Sequence, residues 1–138
     1  KKDLVDSDLD ILMMGNEVDT STTWELIAYQ VRSGNNQQPW AKISLKNNEN
    51  SKIITEESIG TGMVDAAYKN IEKICGNFGE LTDFYMENVN SGLNAQAVVN
   101  VRLKQQNGKV LTARYGDTDI TKASILAYLE IINKAILS

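Results

Sequence analysis

Two short stretches carry residue types suited to recognition chemistry. Gly60-Thr61-Gly62 stands just before one helical pattern, and Asp117-Thr118-Asp119 just before another. A helix start leaves backbone N–H groups unpaired and a partial positive charge. A glycine there lets a ligand approach the main chain. Gly60-Thr61-Gly62 therefore suits a carboxylate or phosphate. Asp117, Thr118 and Asp119 suit the opposite task, accepting bonds from an ammonium group. Each stretch also has a plainer reading: a tight strand-to-helix turn for the first, helix capping for the second. Tyr68, one turn into the first helix, either lines an apolar pocket with Val64 and Ile71 or serves the core. Asp65 reads as a first-turn partner of the helix dipole.

The composition removes other chemistries. There is no His among the 138 residues, and the net charge is −4. Lack of His excludes His-based triads, His-containing zinc sites and His general bases. Carboxylate or Lys catalysis stays formally open, but no nucleophile–base pair or metal cluster is recognisable, and no cofactor is expected. The acidic balance and scattered basic residues argue against nucleic acid. The lone Cys75 excludes an internal disulfide and fits a reducing compartment, hence a cytoplasmic expectation. No apolar run approaches the ~18 residues of a membrane span, and no signal-peptide pattern opens the chain. Gly60-Thr61-Gly62 lacks the Lys-Ser/Thr ending of a P-loop and the third Gly of a dinucleotide fingerprint, so nucleotides are not expected. The length suits one domain, and a first residue of Lys1 suggests a piece of a longer protein.

The elements that must position these residues are legible in order. Ser7 to Met14 reads as a short helix ended by Gly15, followed by a linker. Trp24 to Arg32 is apolar at both parities and reads as a strand covered on both faces. After a Ser33–Asn36 turn, Ala41, Ile43 and Leu45 alternate with Lys42, Ser44 and Lys46. Lys52 to Ser58 is a more polar strand, suited to an edge. Val64, Ala67, Tyr68, Ile71, Ile74 and Cys75 fall within an arc of roughly 120° of a helix that Gly76 and Gly79 end. The plan then repeats: strands at Leu81–Val89, Ala97–Lys104 and Lys109–Tyr115, turns at Asn90–Asn94 and Gln106–Gly108, and a helix from near Ile120 to about Ile136. Its apolar arc of roughly 200° is too wide for one sheet and needs the other helix or another subunit as cover.

The two halves superpose as sequences. Ala41, Ile43, Leu45 and Lys46 match Val99, Val101, Leu103 and Lys104, and Lys52 to Thr55 match Lys109 to Thr112. Gly60, Val64 and Ala67 match Gly116, Ile120 and Ala123. An internal duplication of a βββα unit accounts for all three sets.

At this point the residues resemble a family. Gly-x-Gly-x-Val-Asp-Ala-Ala-Tyr-Lys-x-Ile (Gly60 to Ile71) and Thr-Asp-Ile-x-x-Ala-Ser-x-x-Ala-Tyr-Leu (Thr118 to Leu129) are similar to the C-terminal regulatory domain of 2-isopropylmalate synthase and its relatives. Tyr29 to Gly34 resembles that domain's opening strand and turn, and Asp6 to Leu12 the end of the preceding linker subdomain. The resemblance implies an α+β fold: two pseudo-symmetric βββα units, helices packed on antiparallel three-stranded sheets, forming a homodimer. Residues 1–21 would close the linker subdomain and 22–138 form the regulatory domain, with repeats at 24–76 and 80–137.

The resemblance also implies a role. Such a domain is no enzyme itself. It binds a branched-chain amino acid near the dimer interface and inhibits a catalytic barrel of the same parent chain. That barrel is an acetyl-CoA-dependent acyltransferase using a divalent metal with His ligands, so it is absent here. The effector is leucine in 2-isopropylmalate synthases and isoleucine in citramalate synthases. A cavity separates the two by only ~1–3 kcal/mol. A purely structural dimerisation module is the remaining reading. The implied ligand set is Gly60, Thr61, Gly62, Met63, Val64, Ala67, Tyr68 and Ile71 from the first helix start, with Asp117, Thr118, Asp119 and Ile120 from the second. Met63 departs from the family, where Pro is usual; Pro would fix the first helical φ, whereas Met can intrude into the pocket.

Overall fold

Alternating side chains build the two sheets. A computed structural model of the chain describes residues 22–91 and 94–137. The strands are β1 (Trp24–Gly34), β2 (Gln37–Asn47) and β3 (Lys52–Ile59), followed by helix α1 (Met63–Cys75). Then come β4 (Glu80–Ser91), β5 (Asn94–Lys104), β6 (Val110–Asp117) and helix α2 (Ile120–Leu137). Both sheets are antiparallel, in the orders β1-β2-β3 and β4-β5-β6. The fold is thus α+β, two βββα units. The expected Ser7–Met14 helix, its linker and the Gly92-Leu93 part of a turn lie outside the described residues. Asn90 and Ser91, expected in that turn, still pair with Ala95 and Asn94.

Ala41, Ile43 and Leu45 of β2 are fully buried, as are their counterparts Val99, Val101 and Leu103 of β5. β3 lies at an edge of its sheet, as its polarity suggested. β1 differs from expectation, because only one face is covered. Leu26, Tyr29 and Val31 face the core, while Ile27 is 45% exposed. The cause is a bulge: Leu26 pairs with Leu45 and Ala28 with Ser44, so Ile27 is an extra residue that reverses the parity. β4 bulges at the matching place, between Leu81 and Asp83. Two bulges at one position of the repeat are the backbone signature of the duplication.

The ladders also correct the register of the repeat. The strand matches hold, since Lys46 pairs with Ile53 as Lys104 pairs with Val110. Beyond them the alignment slips by one. Trp40 pairs with Ile59 and Val98 with Gly116, so Gly116 is the counterpart of Ile59, not of Gly60. Ala66 N–H bonds to Gly62 O and Ala123 N–H to Asp119 O, both at 2.9 Å. Gly62 is therefore equivalent to Asp119, and Ala66, not Ala67, to Ala123. The second helix start is not a glycine turn; Gly116 sits inside β6.

The helices meet through aromatic rings. Tyr68 of α1 stacks on Tyr128 of α2 with centroids 4.2 Å apart, and its hydroxyl donates to Ser124 O at 2.7 Å. The broad apolar face of α2 is thus covered by its own sheet and by α1 within one chain. β1 joins it: Trp24 N–H donates to Asn133 Oδ1 at 2.9 Å, and Asn133 Nδ2 donates back to Trp24 O at 3.0 Å. Gly76, at φ 102°, stops α1 with its N–H on Glu72 O at 2.8 Å.

Candidate functional site

The first helix start is built by a close turn. β3 ends at Ile59, Gly60 N–H bonds to Pro39 O at 3.1 Å, and Thr61 N–H donates to Asp65 Oδ2 at 2.9 Å. Asp65 also lies 3.7 Å from Lys69 Nζ. Its carboxylate therefore braces the turn from inside the first helical turn.

The two glycines do different work. A Cβ on Gly60 would stand 2.6 Å from Ala66 N, so the turn needs a glycine there for packing. Gly62 has an extended backbone, φ −157° and ψ 173°, which any residue adopts. Nothing lies within 4 Å of where its Cβ would stand. It is the N-cap of α1 and supplies no side-chain cap. The fold does not require Gly62, and no side chain caps the N-terminal N–H groups of α1.

The second start is closed. Asp119 takes the position equivalent to Gly62, and its Oδ1 accepts Thr121 N–H at 3.0 Å and Lys122 N–H at 3.3 Å. Its Oδ2 accepts the Tyr29 hydroxyl in a short bond that ties β1 to α2. Asp117 Oδ1 accepts Asp119 N–H at 2.9 Å, and Lys122 Nζ lies 3.9 Å from its Oδ2. The capping reading of Asp119 therefore describes what it does here, with its carboxylate already supplied with donors.

The Tyr29 bond, then the N–H groups of Lys122 and Thr121, hold the Asp119 carboxyl below its ordinary range against some desolvation. Tyr29 is pushed up to about 12, first by the same bond. A depressed carboxyl stabilises the fold above its unfolded value of about 3.9 and loses that contribution as pH falls through the folded value. A raised Tyr contributes below about 10 and loses it as pH climbs through about 12. Tyr29→Phe is expected to cost about 1 kcal/mol at pH 7, after discounting a charged hydrogen bond for exposure. Urea melts should show that difference shrinking below about pH 4; a difference constant from pH 3 to 7 would count against the bond.

The other candidates divide by depth. Thr61, Thr118 and Ile120 are exposed, and Met63 and Val64 half-buried. Ala67 and Ile71 are fully buried in the core beneath the helix start. Tyr68 has its hydroxyl taken by Ser124, and burial, then Tyr128, raises its pKa beyond any physiological value. Burial likewise pushes the Cys75 thiol up to about 12, far from a reactive thiolate. Two clefts lie elsewhere: one of about 310 Å³ bordered by Tyr85, Asn100 and Arg114, one of about 390 Å³ by Arg32, Trp40 and Ile59. Among the described residues, no three His, Cys, Asp or Glu gather where a metal could sit, and no helix is long and apolar enough to cross a membrane.

Sequence reading missed Asn70, which is fully buried and donates from Nδ2 to Ala41 O at 2.8 Å. Its spacing of three and four residues from Ala67 and Ala66 was the available signal. Tyr29, Asn133 and Tyr128 gave no such signal, because their partners are distant in sequence.

The described residues thus form a duplicated βββα body with one capped and one uncapped helix start. The chain belongs to the LeuA allosteric (dimerisation) domain family, whose pattern matches residues 3–136. It is 37% identical over 139 residues to a 2-isopropylmalate synthase of Methylacidiphilum infernorum, covering 99% of this chain and 27% of that protein. With the 2-isopropylmalate synthase of Bacillus velezensis it shares 35% identity over 138 residues, 99% of this chain and 26% of the relative. With that of Prochlorococcus marinus strain MIT 9301 it shares 32%, over 100% of this chain and 25% of the relative. The chain thus spans about a quarter of the length of these relatives.

Proposed function

We propose that this chain is the effector-sensing regulatory domain of a cytoplasmic 2-isopropylmalate synthase. It binds leucine at the start of α1, pairs as a homodimer and feedback-inhibits a catalytic barrel of the same parent chain. The family and the relatives support the regulatory role. The observation that carries the ligand site is the uncapped start of α1 at Gly62, where the fold has no need of glycine. The effector carboxylate takes the first N–H groups of α1. Gly60 shapes the turn, and Thr61, Gly62, Met63 and Val64 make the contacts. Ala67, Tyr68 and Ile71 support them from the core. Asp117, Thr118, Asp119 and Ile120 form the second, capped wall of the set.

Calorimetric titration of the 138-residue chain with leucine, isoleucine and valine tests this. Leucine at a hundredfold excess over Kd should stabilise the fold by about 2.7 kcal/mol, a rise in Tm of roughly 8 °C. Gly62→Asp supplies to α1 the cap that Asp119 supplies to α2. It should keep the fold and abolish the leucine response, because its carboxylate occupies the ligand's N–H groups. Heat and Tm shift with isoleucine alone would reassign the effector to the citramalate synthase type. No response to any of the three would leave a purely structural module.

A further inference from the structure

We propose that the outer face of the second sheet carries a site for a small oxyanion, a phosphate or carboxylate group, seated on Asn100 between Arg102 and Arg114. Side chains of β5 alternate between faces. Val99, Val101 and Leu103 are buried in the core, so Asn100 and Arg102 stand on the opposite face. The ladders surround Asn100. Tyr85 of β4 pairs with it on one side and Arg114 of β6 on the other, and Arg102 follows it on the same face of β5. Paired side chains stand about 5 Å apart, and successive ones on one face about 7 Å. All four residues border the cleft of about 310 Å³, a volume at the lower end for small-molecule pockets.

One group in this cleft lacks a partner. Asn100 Nδ2 is buried and meets no acceptor among the described residues. Buried donors are rarely left so, because an unmet donor costs more than a typical hydrogen bond gains. The missing group is therefore an acceptor, and the side chains around the amide set its charge. Arg102 spends an N–H on Asp83 at 3.0 Å, and Arg114 spans β5 to reach Glu87 of β4 at 3.3 Å. A guanidinium carries five N–H donors, so both arginines keep donors for a ligand. Both ion pairs are about half exposed, and such pairs are weak enough for a bidentate phosphate or carboxylate to compete. On the α2 side Glu130 is held by Lys134 at 3.7 Å, so each carboxylate bordering the cleft already has a cation.

The first unit shows that the sheet does not need this set. By ladder position Lys42 is the counterpart of Asn100, Ser44 of Arg102 and Glu57 of Arg114. There Ser44 and Thr55 share a hydrogen bond of 2.7 Å, and Glu57 accepts Trp40 Nε1 at 3.1 Å. One frame thus carries a face whose polar groups meet each other and a face with donors to spare. The two arginines and Asn100 serve a task other than pairing strands.

Heteronuclear NMR titration of the 138-residue chain tests the site, with inorganic phosphate and citrate as probes at constant ionic strength. The expected result is a saturable shift of the Asn100 side-chain amide and of Arg114 Nε with at least one probe. Saturation by phosphate alone indicates a phosphate-bearing ligand, and by citrate alone a carboxylate. Arg114→Gln should raise the Kd about tenfold or more. Lys42→Gln, at the counterpart of Asn100, should leave it within about twofold. Gly62→Asp, which closes the start of α1, should leave the shifts intact and so separates this site from the effector site. Should Arg114→Gln fail to fold by circular dichroism, Arg102→Gln takes its place with the same expected loss. Shifts that never saturate, that spread evenly over all basic residues, or that vanish in Gly62→Asp overturn the site. So does equal weakening by Lys42→Gln and Arg114→Gln.

Discussion

Gly60→Ala is expected to destabilise the chain by about 3 kcal/mol, the upper end of the usual cost of overpacking. The new Cβ would lie 2.5 Å from Asp65 Oδ2, 2.6 Å from Ala66 N and 2.9 Å from Ala66 Cα. The carboxylate can swing away, though it would drop its bond to Thr61 N–H. The main chain of Ala66 cannot, because its N–H makes the first helical bond, to Gly62 O. Relief therefore requires the first turn of α1 to shift off the sheet, and Ala66 is fully buried there. Gly62→Ser, two residues away, should be neutral or stabilising by up to about 1 kcal/mol, since Ser is a preferred N-cap and the extended backbone accepts it. Thermal melts of the pair separate the two glycines: a loss of roughly 10 °C for the first and none for the second. Equal behaviour would refute the division between a packing glycine and an access glycine.

Tyr68→Ala should cost about 4 kcal/mol, in the range of large aromatic truncations in a core. Its ring stacks on Tyr128 at 4.2 Å and meets Phe84 edge-on at 6.1 Å, so one side chain touches α2 and β4 of the second unit. Tyr68→Phe keeps both ring contacts and removes only the bond to Ser124 O, a loss of about 1 kcal/mol. Guanidinium unfolding followed by tryptophan fluorescence and by far-UV circular dichroism measures both. Trp24 and Trp40 lie in the first unit, while circular dichroism reports on both units. A shared core predicts coincident transitions, shifted together in Tyr68→Ala. A cost below about 1 kcal/mol, or fluorescence moving alone, would show that Tyr68 does not join the units.

Much of this fold was legible because it rests on local periodicity. Ala41, Ile43 and Leu45 announce a half-buried strand, and the arc from Val64 to Cys75 a helix with one apolar face. What escaped depends on relations that no local pattern encodes. The bulge at Ile27 turned a one-faced strand into one that reads as two-faced. The match of Gly60 with Gly116 followed residue identity, whereas backbone bonding pairs Gly60 with Asp117 and Gly62 with Asp119. The candidate site was legible as a stretch but not as a division of labour. Gly60 and Gly62 look alike in sequence, and only the space around each tells them apart. Asp119 looked available to a ligand until Tyr29, ninety positions away, was placed on it.

The Trp24–Asn133 pair makes the folded body a nearly closed circuit. The two residues stand 109 positions apart, yet they clasp each other through two hydrogen bonds. The first strand and the last helix of the described residues therefore hold each other, and the first βββα unit cannot swing away from the second without breaking both bonds.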